Sequence, residues 1–105
     1  MNYIGVNYIG GQWVPARAGR TMEDRNPADR ADLLGEVARS DADDVEAAVS
    51  AARAAYPEWT ATPMPRRGDR LLRVGLALEQ EKDALARLMT REMGKTLKEA
   101  RGDVQ

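Results

Sequence analysis

The chain has 105 residues, with 16 Lys+Arg against 17 Asp+Glu and a net charge of -1, so no global field draws it to nucleic acid or to an anionic membrane. It contains no cysteine and no histidine, which excludes a disulfide framework, a thiolate nucleophile, a cysteine or histidine zinc site and a Ser/His/Asp triad within these residues. No apolar run approaches the roughly 18 residues of a membrane span, and no basic-then-apolar leader opens the chain, so a cytoplasmic protein is expected.

Residues 1–39 read as short strands and turns. Asn7-Tyr8-Ile9 and Gln12-Trp13-Val14 flank Gly10-Gly11, a dipeptide suited to a two-residue hairpin because glycine tolerates positive φ. Asn2-Tyr3-Ile4-Gly5 recurs as Asn7-Tyr8-Ile9-Gly10, but a single echo at an offset of five is no repeat architecture. Pro15 and Gly19 mark a break, Thr21 to Arg25 reads as extended, Asn26-Pro27-Ala28-Asp29 is a turn, and Leu33 to Val37 is a further strand.

A first helix is expected over 40–59, capped by Ser40, with Asp41, Asp43, Asp44 and Glu46 where the N-terminal dipole favours negative charge. Val45, Val49, Ala52 and Tyr56 share one face. Pro57 is expected to end or kink the helix, leaving Trp59 to pack beside its end. A second, long helix is expected over 62–93, with Thr62 as its N-cap, Pro63 at the first helical position, Pro65 tolerated in the first turn, and Leu71, Val74, Leu78, Leu85, Leu88 and Met89 as its apolar face. Gly94 then supplies a left-handed stop, and Thr96 with Glu99 has the spacing of a capping box that opens a third helix over 96–105. What remains after that cap is shorter than the roughly 12 to 15 residues an isolated helix needs. The sequence therefore predicts a chain that is part of something longer.

The composition agrees. Hydrophobic content is 43%, but 17 residues are alanine and none is phenylalanine. Alanine favours helix and adds little burial, against a backbone ordering cost of about 1 to 2 kcal/mol per residue.

Several constellations have bland readings that outweigh the chemical ones. Gly94-Lys95-Thr96 lacks the glycine five positions earlier that a phosphate loop needs, since Met89 stands there, and no G-x-G-x-x-G fingerprint occurs. Arg66, Arg70 and Arg73, with Arg67 adjacent, make a basic helical face without interleaved aromatics, which reads as a solvated or salt-bridged surface. Glu99 has a capping role and Asp103 stands near the end of the chain, so among the carboxylates Glu92 alone keeps a functional reading. Trp13 and Trp59 read as packing anchors.

Taken in order, Tyr8-Ile9-Gly10-Gly11-Gln12-Trp13-Val14, Asn26-Pro27-Ala28, Leu34-Gly35-Glu36-Val37 and Ser40-Asp41-Ala42-Asp43-Asp44-Val45 resemble the opening of the aldehyde dehydrogenase superfamily. The helix Ala47 to Trp59, the Arg66 to Leu78 segment and Glu92-Met93-Gly94-Lys95 with Glu99-Ala100 continue the resemblance to Gln105. It implies an α/β fold, the N-terminal part of that family's architecture, in which a hairpin and short strands precede long helices packed around a Rossmann-like cofactor domain. This stretch by itself would be mostly helical.

The implied activity is oxidation of an aldehyde to a carboxylate with NAD or NADP. In the family a cysteine thiolate attacks the aldehyde, hydride passes to the nicotinamide, a glutamate activates water, and an asparagine side chain with the cysteine amide holds the oxyanion. No catalytic or cofactor-binding residue of the family falls on these 105 residues. The resemblance also implies a small aldehyde as substrate, a homo-oligomer (dimer or tetramer) at full length, and no nucleic-acid or membrane partner.

One family feature does map here. A sodium or potassium ion would be held by backbone carbonyls near Asp24 and Arg25 and by the Glu92 side chain, all hard oxygen donors. The Glu-Met-Gly-Lys form resembles members acting on succinic or 2-oxoglutaric semialdehyde, while two residues are added between Asn26-Pro27 and Leu34-Gly35-Glu36 relative to the shorter family turn.

Two other readings belong to different classes. A small stand-alone helical interaction module would bind a partner along the apolar stripe. A nucleic-acid binder using the arginine face would show steeply salt-dependent binding.

Overall fold

The computed structural model describes residues 5–104, so Asn2-Tyr3-Ile4 of the echo and Gln105 lie outside the described residues. Four strands precede four helices: β1 (Asn7–Ile9), β2 (Gln12–Val14), β3 (Thr21–Arg25), β4 (Leu33–Ala38), α1 (Ala42–Ala61), α2 (Met64–Gln80), α3 (Lys82–Met93) and α4 (Leu97–Asp103). This is the α/β order the resemblance implied. The chain divides into two compact units: the chain up to Asp24 with Leu33–Ala61, and Arg25–Asp32 with the chain from Thr62 onward.

In the first unit, β1 pairs antiparallel with β2 in the register Asn7 to Val14, Tyr8 to Trp13 and Ile9 to Gln12. Gly10 and Gly11 both have positive φ, at 60° and 81°, which is the backbone a primed two-residue hairpin turn demands. The facing Tyr8 and Trp13 rings stack at a centroid distance of 4.9 Å with a tilt of 54°. Trp13 nonetheless stays 71% exposed, so it anchors the ribbon to itself and not to a core. A separate two-stranded sheet joins β3 to β4. On β4, Leu34 is the only large side chain that is fully enclosed among the described residues, and its neighbour Gly35 is buried with it.

Helix α1 is capped one residue later than the sequence predicts. The Ser40 hydroxyl is taken by Asn7, whose Nδ2 donates to it at 2.8 Å. Asp41 caps in its place, accepting from the Asp43 amide at 3.1 Å, while Asp44 Oδ2 accepts from the Asp41 amide at 3.0 Å. The second oxygen of Asp44 accepts from the Arg17 amide at 2.9 Å. The Arg17 amide, followed by that of Asp41, holds the Asp44 carboxyl below the ordinary range, because both bonds favour its charged form.

Pro57 does not end α1. The helix runs on to Ala61, where the Thr60 hydroxyl donates to the carbonyls of Tyr56 and Pro57 at 3.0 Å and ties the turn that follows the proline. Trp59 is therefore a half-buried residue of the helix itself. The face shared by Val45, Val49, Ala52 and Tyr56 is open as well, with Val45, Val49 and Tyr56 all exposed.

The long helix expected over 62–93 is two helices. Glu81 breaks the run with φ -95° and ψ 6°, in the bridge region, even though its amide still donates to the Ala77 carbonyl at 3.2 Å and its carbonyl accepts from Leu85 at 2.9 Å. Apolar spacing reads through such a break because the change lies in one residue's ψ. Pro63, not Thr62, occupies the N-cap position of α2, and no side chain caps that end.

Gly94 ends α3 in the left-handed region with φ 75°, its amide donating to the Thr90 carbonyl. The full capping box then starts α4: the Glu99 amide donates to the Thr96 hydroxyl at 3.3 Å and the Thr96 amide donates to the Glu99 carboxylate at 3.1 Å. Ala86 and Ala100 are the fully buried residues of α3 and α4, and small side chains let the two helices approach closely. Arg101 donates to Asp83 at 3.0 Å, and Lys95 pairs with Asp103 across α4.

Candidate functional site

The second unit seats the Asn-Pro turn on the C-terminal end of α3. Asn26 organises the turn: its Oδ1 accepts from the Ala28 amide at 2.9 Å, its amide donates to the Asp32 carbonyl at 3.0 Å, and its Nδ2 donates to Asp32 Oδ2 at 3.1 Å. Arg91 then grips the same carboxylate with two nitrogens, Nε at 2.9 Å from Oδ2 and a terminal nitrogen on Oδ1. Pro27 completes the seat. A side chain placed on Gly94 would meet its Cγ at 3.4 Å, an ordinary contact, so it is the φ of 75° and not space that calls for glycine here.

These bonds set the electrostatics. The Arg91 guanidinium, with help from Asn26, pulls the Asp32 carboxyl from the ordinary 3.8 down to about 2, and Arg91 is raised in turn by Asp32. Because the folded value lies below the unfolded one, the contribution to stability is complete above about pH 4 and is lost as pH falls toward about 2. Replacing Arg91 by methionine is expected to return the Asp32 titration to the ordinary carboxylate range. Carboxyl-detected NMR checks this, and a midpoint that stays near 2 in the variant would assign the shift to Asn26 instead.

The proposed cation ligands are placed as follows. Asp24 and Arg25 are consecutive half-buried residues at the end of β3, Asp24 in the first unit and Arg25 in the second, and the Arg25 guanidinium donates to the Arg30 carbonyl at 3.0 Å. Glu92 stands in the last turn of α3, exposed, next to Arg91. No cluster of three or more acidic, histidine or cysteine side chains converges among the described residues, so Glu92 is a side-chain donor that needs backbone carbonyls around it. Oxygen donors of this kind suit a hard cation.

Sequence reading missed Asp32 and Arg91. They are 59 residues apart, and a single aspartate and a single arginine carry no local signal that would join them. No described helix is long and apolar enough to cross a membrane. In the first unit a cleft of about 280 Å³ beside β1 is lined by Asn7, Tyr8, Ile9, Ser40, Asp44, Val45 and Ala48. Its one carboxylate, Asp44, is already spent on two amides.

The backbone of this chain matches that of solved dehydrogenase structures. It superposes with a TM-score of 0.92 on the NADP-dependent glyceraldehyde-3-phosphate dehydrogenase of Bacillus halodurans complexed with NADP, at 27% identity, covering 98% of this chain and 21% of that one. It is 43% identical over 99 residues to the alpha-ketoglutarate semialdehyde dehydrogenase of Haloferax volcanii and 41% identical over 99 residues to malonate-semialdehyde dehydrogenase 1 of Oceanobacillus iheyensis, covering 94% of this chain in each case. The sequence model of the aldehyde dehydrogenase family matches residues 13–105, and the chain belongs to that family. It spans 20% of the length of these two curated relatives.

Proposed function

We propose that these residues form the N-terminal part of an NAD(P)-dependent aldehyde dehydrogenase that oxidises a semialdehyde to the corresponding carboxylate. The observation that carries this reading is the family match over residues 13–105, together with relatives named for alpha-ketoglutarate and malonate semialdehydes. The chain holds no cysteine, so in this reading the thiolate nucleophile is not among these residues. Its own part is a scaffold: the Asn26-Pro27 turn, pinned by Asp32 and Arg91, sets the backbone that follows Arg25 and the end of α3 that carries Glu92. In this reading Glu92, with carbonyls near Asp24 and Arg25, holds a sodium or potassium ion, and the full enzyme works as a cytoplasmic homo-oligomer on a small aldehyde.

The test is the intact mass of the protein in its source cells, captured with an antibody raised against residues 66–95, followed by assay of the captured material with NAD, NADP and the two semialdehydes. A species several times heavier than 11.6 kDa that reduces either cofactor is expected. A species at 11.6 kDa without activity would overturn the enzyme reading and leave the interaction module.

A further inference from the structure

We propose that Asp32 and Asp103 are positioning residues that keep the Glu92 carboxylate free: each draws off a basic side chain that would otherwise compete with, or repel, a monovalent cation held there. This rests on the cation reading just given.

Glu92 stands exposed in the last turn of α3, and among the described residues its carboxylate makes no hydrogen bond or ion pair. Two basic residues lie within three positions of it, Arg91 and Lys95. Both have long, flexible stems and a charge suited to an open carboxylate. Both are committed elsewhere. Arg91 gives its Nε, at 2.9 Å, and a terminal nitrogen to the two oxygens of Asp32. Lys95 pairs with Asp103, and its side chain is only 25% exposed.

Each acceptor is itself held in place. A bidentate grip fixes the plane of a guanidinium as well as its position. Asp32 also accepts from Asn26 Nδ2 at 3.1 Å, which ties its carboxylate to the Asn-Pro turn and keeps Arg91 with it. Asp103 is carried by α4, whose start is set by the Thr96 and Glu99 capping box immediately after Lys95.

The electrostatic consequence is local. Each pair is neutral as a whole, so neither presents an uncompensated positive charge to the end of α3. Without Asp32 or Asp103, a full positive charge would be released near Glu92, where it would raise the energy of a bound cation or take the carboxylate itself. With both in place, the Glu92 carboxylate and the negative pole of the α3 dipole remain, which is the environment a hard cation requires.

Thermal midpoints of the protein, expressed at the length found in its source cells, test this without recourse to activity. Sodium or potassium chloride replaces tetramethylammonium chloride at constant ionic strength, so the screening of surface pairs stays fixed while a bound alkali cation raises the midpoint. The parent is expected to show that rise and Glu92→Gln to lose it. Asp32→Asn and Asp103→Asn should each raise the half-saturating cation concentration about tenfold or more. Removing the released charge as well, by adding Arg91→Met to the first or Lys95→Met to the second, should restore it to within about twofold of the parent. A merely structural role would lower the midpoint equally in both salts and would not be reversed by the second substitution. Half-saturation unchanged in both single variants, or restored in neither double variant, overturns the positioning role. No rise in the parent, or a rise that survives Glu92→Gln, overturns the cation reading beneath it, which separates the two failures.

Discussion

Replacing Leu34 by alanine is expected to destabilise the first unit by about 2 to 5 kcal/mol, the range for a buried leucine truncated in a core that relaxes incompletely. Leu34 is 0% exposed on β4, and the other buried hydrophobic side chain described in the first unit is Ala16, which has little to close over a void. Few enclosed side chains means that one deletion removes a large share of the packing. Leu34→Met keeps the volume and should cost less than about 1.5 kcal/mol. Amide exchange along β4 measures both. Equal protection in the alanine variant and the parent would mean that Leu34 is not the centre of this unit.

The second large effect is steric. Gly5 is buried against β4, where an added Cβ would lie 2.5 Å from the Val37 carbonyl carbon, 2.6 Å from the Ala38 nitrogen and 2.9 Å from the Val37 Cα. All three are backbone atoms, so no side-chain rotation relieves the clash and the strand itself has to move. Gly5→Ala is therefore expected to cost about 1 to 3 kcal/mol or more. Gly68→Ala is its control: nothing lies within 4 Å of that position, and alanine is worth about 1 kcal/mol over glycine inside a helix. The same substitution should thus destabilise at one site and stabilise at the other, read as opposite shifts in urea midpoint. A neutral Gly5→Ala would show that β4 yields without cost.

Punctuation was legible in the sequence wherever a single residue type is forced by backbone geometry. Gly10-Gly11 at the hairpin, Gly94 at the helix stop and Thr96 with Glu99 at the following cap all do what their chemistry requires. One error arose where a neighbour distant in sequence competes for the same group. Ser40 looked like the cap of α1 until Asn7, 33 residues away, took its hydroxyl and left capping to Asp41. Pro57 reads as an end or a kink, and α1 runs through it to Ala61. Glu81 gives no warning, since the apolar period is the same on both sides of it.

The same division holds for the candidate site. Asn26-Pro27, Glu92 and Gly94-Lys95 are local patterns, and their order along the chain was enough to place the sequence in its family. The sequence by itself determined the element types, the turns and the family, because each depends on residues within a few positions of one another. Only the tertiary structure decided that Asp32 and Arg91 join the turn to α3 across 59 residues, and that α2 buries none of its residues. Those outcomes depend on which groups meet through space and which surfaces find no partner, and composition and periodicity carry no record of either.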